Sequence, residues 1–77
     1  MSDTPVIIIV DQYAHNATVQ YGDEGFSFVL PHLYGADLVK SVERCFFHCV
    51  GCRLDMEAAP YKAVGDLRYY RGTALSD

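Results

Sequence analysis

The chain has 77 residues and a mass of 8.6 kDa, which excludes a second core because so short a chain buries only about 60% of its unfolded surface. A net charge of −4, with 51% hydrophobic and 21% charged residues, is typical of a globular domain and excludes the disordered and collagen-like classes. No apolar run approaches the roughly 18 residues that cross a bilayer, and residues 1–5 lack the basic region of a secretory signal. We therefore expect one domain over residues 1–77. We also expect a cytoplasmic protein that does not bind a membrane.

Three strands are predicted in the N-terminal half. Val6–Val10 consists of β-branched residues only, which favours an interior strand. Apolar residues then alternate with other residues over 17–21 and again over 26–30. The four-residue link Gly22–Gly25 contains two glycines, so the two alternating runs predict a β-hairpin.

The period becomes helical after residue 35. Apolar residues recur there at helical spacings: Leu38, Val42, Cys45, Phe46 and Cys49. This pattern predicts one helix over Ala36–Val50, with Gly51 placed to end it in a left-handed conformation.

Two further strands are predicted after the helix. Residues 52–57 alternate again, and Leu67–Arg71 forms a last candidate between two glycines. Residues 58–64 stay open between a loop and one helical turn, and residues 73–77 are expected to fray. The order β-β-β-α-β-β predicts an α+β domain in which an antiparallel sheet of four to five strands carries one helix on one face. The other face is then solvated or presented to a partner.

Three cysteines lie on one side of the predicted helix or just beyond it. The spacing of Cys45, Cys49 and Cys52 also occurs in radical S-adenosylmethionine enzymes, but those hold their cluster on a loop of a far larger fold. With His48 the cysteines have ligand types for zinc. They also continue the apolar stripe of the helix, where free cysteine acts as a small buried hydrophobe. We predict core cysteines with no metal and no cofactor, and keep a zinc- or thiol-dependent protein as the alternative.

The sequence contains no recognisable catalytic motif. A cysteine or serine nucleophile needs a histidine held beside it, and nothing in the pattern places such a pair in a pocket. Asp23 and Glu24 are adjacent, which sends them to opposite sides of a hairpin. We therefore predict that the protein is not an enzyme.

All of the net charge arises in the N-terminal part. Residues 1–34 contain four acidic residues and no Lys or Arg, whereas residues 35–77 are balanced. One interpretation is that the acidic residues keep the chain soluble. The other is that Asp23 and Glu24, at the hairpin tip, contact a basic surface of a partner. It argues against direct binding of nucleic acid, although lysine, arginine and tyrosine interleave between Tyr61 and Arg71.

Aromatic residues exceed what so small a core can bury. Phe47 falls among charged residues on the helix face opposite the apolar stripe, so it is either exposed or packed under the C-terminal segment. Tyr69 and Tyr70 point to opposite faces of their strand. Since tyrosine is enriched at interface hot spots, Phe47, Tyr69 and Tyr70 join Asp23 and Glu24 as predicted partner-binding residues.

In size, acidity and α+β organisation the chain resembles the phage-encoded anti-CRISPR inhibitors. The resemblance carries over no site residue. It implies a small inhibitor that occupies a functional surface of a protein partner in the cytoplasm of the host cell. A basic nucleic-acid-binding complex, such as a CRISPR effector, would be that partner.

Overall fold

A computed structural model describes residues 3–29 and 36–75 of the protein. Its elements follow in chain order: β1 Thr4–Asp11, β2 Asn16–Tyr21, β3 Glu24–Val29, α1 Ala36–Val50, β4 Arg53–Met56, β5 Lys62–Val64 and β6 Leu67–Leu75. The α+β class and the order β-β-β-α-β-β are confirmed, with β5 as an added short strand. The predictions for Leu30 and for residues 76–77 lie outside the described residues.

The strands form one antiparallel sheet in the order β3-β2-β1-β6-β4, and β5 also pairs with β6. The predicted interior position of the first strand is confirmed, because β1 lies between β2 and β6. Residues 67–69 of β6 pair with β5 and residues 72–75 pair with β4, so β4 and β5 share one edge. The predicted fraying of residues 73–75 is wrong, because β4 pairs with all three residues and β1 pairs with Thr73 and Ala74 on the other side.

Two-residue turns close the hairpins at both ends of the sheet. Gly22 and Gly65 each occupy the first turn position with a positive φ, 61° and 58°, which suits a type II′ turn. The first hairpin link is shorter than predicted, because Glu24 already pairs with Tyr21. The second turn makes residues 62–64 a strand, which resolves the segment that the sequence left open.

The core lies between the sheet and α1. Leu38, Val42 and Phe46 form a buried row at spacings of four residues along the helix. The centre of the Phe46 ring lies 5.6 Å from that of Tyr21, in an edge-to-face arrangement, and 5.9 Å from that of Phe26. Gly51 ends the helix with a φ of 86°, as predicted. Within the described residues, no helix is long and apolar enough to cross a membrane.

Candidate protein-binding surface

The sheet face opposite α1, called the open face below, has an apolar centre. The alternation of β1 and β6 places Ile7 and Ile9 on this face, opposite Arg71 and Tyr69 respectively. Both isoleucines are half-buried, while their neighbours on β1 point into the core. Towards β3 the open face carries three polar side chains and one exposed valine: Thr18, Gln20, Ser27 and Val29. The open face thus offers an apolar strip beside hydrogen-bonding side chains.

Two tyrosines and two cations, called the Tyr–Arg cluster below, border this strip. The Arg71 guanidinium carbon lies 4.3 Å from the centre of the Tyr61 ring, and Lys62 Nζ lies 5.3 Å from that of Tyr69. The two tyrosine rings are 6.4 Å apart. These contacts arise because Lys62 is the cross-strand partner of Tyr69 and the Tyr61 amide donates to the Tyr69 carbonyl. The cations lie over ring faces, where the aromatic quadrupole attracts them.

An open depression of about 480 Å³ adjoins the cluster at Arg71. Its walls combine apolar and charged groups: Pro5, Ile7, Asp55, Glu57, Arg71 and Thr73. The open face therefore has a concave region and carries both apolar and charged side chains. Such a surface suits a protein partner whose side chains protrude.

Tyr69 and Tyr70 take opposite roles, as the alternation predicted. Tyr69 lies half-buried in the Tyr–Arg cluster. Tyr70 is only 5% exposed, because it faces α1 beside its partner Ile8. Its burial raises the pKa of the Tyr70 phenol, and the nearby Arg68 charge acts in the opposite direction. A ring inside the core cannot reach a partner. Tyr70 is therefore a core residue and not a partner-binding residue.

The remaining predicted contact residues are exposed but lie elsewhere. Asp23 and Glu24 are exposed at the β2–β3 turn, at the edge of the sheet away from β6. Phe47 is 51% exposed, which excludes packing under the C-terminal segment. It borders a groove between α1 and β4 that contains Arg53 and Leu54. The structure therefore does not bring these three residues together with Tyr69.

Ile7 and Ile9 were not predicted as contact residues, and Tyr61 was considered only as one of the tyrosines that interleave with lysine and arginine. The sequence of β1 predicted only an interior strand, because five β-branched residues in a row show no alternation that distinguishes the two faces. A usable signal for Tyr61 was the Gly65–Asp66 pair, since a two-residue glycine turn between β-prone runs predicts a hairpin. That hairpin brings the chain around Tyr61 alongside β6.

The cysteines are less buried than predicted. Cys45 and Cys52 are half-buried, Cys49 is exposed, and all three are free. The prediction of a core position is wrong for Cys49. The helix packs on the sheet along the row Leu38, Val42 and Phe46, and Cys49 lies outside that row. Within the described residues, no three His, Cys, Asp or Glu side chains are grouped to hold a metal ion.

Neither protein-family models, nor curated proteins, nor solved structures match the chain. Its candidate site therefore rests on the geometry of the described residues.

Proposed function

We propose that this chain is a non-catalytic protein-binding module that inhibits a partner by occupying its functional surface. The observation that carries the proposal is the Tyr–Arg cluster beside Ile7 and Ile9 on the open face. Tyrosine and arginine are among the residues enriched at interface hot spots, and an adjacent apolar strip supplies area that a partner can desolvate. Tyr61, at 40% exposed, and Tyr69 would be the anchors.

The charge distribution supports a partner with a basic functional surface. The first 34 residues carry four acids and no Lys or Arg, and Asp23 and Glu24 project from a turn. Such a tip would steer association with a basic surface more than it would hold the complex together. The DNA-binding surface of a CRISPR effector complex, which the resemblance implies, has this chemistry. The three free cysteines support a reducing compartment, such as the host cytoplasm.

The test begins with affinity capture of the partner by the tagged chain and then compares variants. The double variant Tyr69→Ala/Arg71→Ala removes an anchor and the stacked cation from the Tyr–Arg cluster. We expect a loss of about 2 kcal/mol or more in partner binding, which is roughly 30-fold in Kd. Tyr13→Ala is the matched control, because Tyr13 is 82% exposed on the β1–β2 turn, outside the cluster.

A second measurement tests the mode of inhibition. If the chain occupies a DNA-binding surface, it displaces labelled duplex from the captured partner, and the double variant displaces it at higher concentration only. Partner affinity that is equal in the double variant, Tyr13→Ala and the wild type would show that the open face is not the binding surface. Partner binding that leaves the labelled duplex in place would keep the protein-binding part of the proposal and contradict the DNA-surface part.

A further inference from the structure

The two edges of the sheet differ in how they are protected. β3 forms one edge with six continuous residues that include no proline, lysine or arginine. The other edge is interrupted between β4 and β5 by residues 57–61, which include Pro60. Breaks, prolines and lysines are the devices that keep an edge strand from pairing with another chain. Among the described residues, β3 is thus the edge that lacks them and has no pairing partner on its outer side.

The turn before β3 determines which backbone groups face outward. A two-residue turn makes Tyr21 and Glu24 a hydrogen-bonded pair, and such pairs alternate with non-hydrogen-bonded ones along an antiparallel ladder. Gly25, Ser27 and Val29 therefore direct their N–H and C=O groups away from β2. The 3.1 Å contact between the Thr18 and Ser27 hydroxyl oxygens fits this assignment, because side chains lie closest in a non-hydrogen-bonded pair.

We propose that β3 pairs with β3 of a second copy of this chain, antiparallel and about a two-fold axis at Ser27. Gly25 then lies opposite Val29 of the second copy, and Ser27 lies opposite its own counterpart. Each of these pairs exchanges two hydrogen bonds, about six in all across the interface. The arrangement is self-complementary, which a two-fold dimer requires.

Side-chain chemistry on the helix side of the sheet favours the same register. Phe26 lies opposite Phe28 of the second copy in a non-hydrogen-bonded pair, where side chains approach most closely. Both rings are only half-buried in one copy, and Phe26 already contacts Phe46. The pairing therefore extends the aromatic part of the core across the interface.

Charge does not oppose this interface. Glu24 is the charged residue of β3, at its first position. In the proposed register the two Glu24 residues lie six positions apart along the ladder, about 20 Å. That distance exceeds the Debye length of about 8 Å at physiological ionic strength, so their repulsion is largely screened.

The dimer is tested by the molar mass of the 77-residue chain in sedimentation equilibrium, from micromolar to millimolar protein. We expect the mass to rise from 8.6 kDa towards twice that value. Ser27→Pro removes one outward N–H and leaves the bonds to β2 in place, so it should weaken self-association at least about tenfold. Ser27→Ala is the matched control, because it keeps the N–H and loses only the hydroxyl contact with Thr18.

Amide hydrogen exchange on the wild type provides a readout that does not depend on whether Ser27→Pro folds. The amides of Gly25, Ser27 and Val29 should gain protection as protein concentration rises, whereas those of Phe26 and Phe28 should be protected throughout. A mass of 8.6 kDa at every concentration overturns the proposal, and so does a dimer whose outward amides stay unprotected. The inference uses the β3 edge and not the Tyr–Arg cluster, so it stands or falls separately from the proposed function.

Discussion

The guanidinium carbon of Arg71 lies 4.3 Å from the centre of the Tyr61 ring, and this contact fastens the β4–β5 connection to β6. The Tyr61 amide reinforces it by donating to the Tyr69 carbonyl at 2.9 Å. The β4–β5 connection is therefore held by two backbone bonds, since the Glu57 amide also donates to the Arg71 carbonyl at 2.9 Å, and by the cation–π contact between Tyr61 and Arg71. Both groups belong to the surface proposed to bind a partner, so this surface is ordered before a partner arrives.

The contribution of the stack can be measured in the isolated chain. Arg71→Ala should lower the free energy of unfolding by about 0.5–1 kcal/mol, the range for an exposed cation–π pair. Urea denaturation followed by circular dichroism measures the change. Arg53→Ala is the control, because Arg53 is exposed on β4 and stacks on no ring among the described residues. Equal losses in the two variants would show that the Tyr61 contact contributes nothing.

Gly72 should not tolerate a methyl group. An added Cβ would lie 3.0 Å from Leu54 Cδ1 and 3.2 Å from Ile8 Cδ1, both inside the core. Gly72→Ala should therefore cost about 1–3 kcal/mol through overpacking. Gly25→Ala should be nearly neutral, because its Cβ would meet only the Val19 carbonyl oxygen at an ordinary 3.6 Å. The melting temperatures of the two variants, measured by thermal unfolding, test this difference. An unchanged melting temperature for Gly72→Ala would contradict the packing described.

The three thiols should differ in reactivity and in their effect on stability. Cys49 is exposed, whereas Cys45 and Cys52 are half-buried and Cys52 packs against the core. Cys49→Ser should stay within about 0.5 kcal/mol of the wild type, as surface substitutions do. Cys52→Ser should cost more, because it places a hydroxyl against apolar side chains. Maleimide labelling with peptide mapping should modify Cys49 first; preferential labelling of Cys52 would contradict this order.

Stability should fall at alkaline pH partly through Tyr70. Burial raises the pKa of its phenol above the ordinary value of 10.0, with Arg68 acting in the opposite direction. The folded state therefore favours the protonated ring. The stabilisation that arises from this raised pKa is fully present below about pH 10. It is lost as the pH rises through the folded-state pKa of Tyr70. Tyr70→Phe should flatten the alkaline decline of the unfolding free energy. Tyr13→Phe, at an exposed position, should leave it unchanged, and equal slopes in both variants would exclude a role for Tyr70.

The acidic tip should act on the rate of association. Reversing Asp23 and Glu24 to lysine should slow binding to the captured partner and reduce its salt dependence, because long-range attraction acts before contact. The melting temperature should hardly change, since both side chains are exposed. Asp66→Lys, in the equivalent turn of the β5–β6 hairpin, is the control. Association rates measured at low and high salt decide, and unchanged rates at low salt would leave the acidity as a solubility feature.

The helix and every strand except β5 were predictable from the sequence, because their signals act over a few residues. A β-branched run predicted β1, a period of two predicted β2, β3 and β4, and flanking glycines marked β6. A helical period predicted Ala36–Val50, and Gly51 marked its end. The opposite orientations of Tyr69 and Tyr70 followed from the same alternation. These predictions held because backbone sterics and side-chain direction set them before any long-range contact forms.

Which elements meet depends on contacts between distant parts of the chain. The pairing of β6 with β1 and β4 joins residues far apart in the chain, so no local period encodes it. That pairing sets Ile7 and Ile9 opposite Arg71 and Tyr69 on the open face, whereas the local β5–β6 hairpin brings Tyr61 to Arg71. The row of α1 that meets the sheet likewise depends on how the helix packs, which is why Phe46 is buried and Cys49 is not. Burial follows from long-range register, and long-range register is a property of the whole fold.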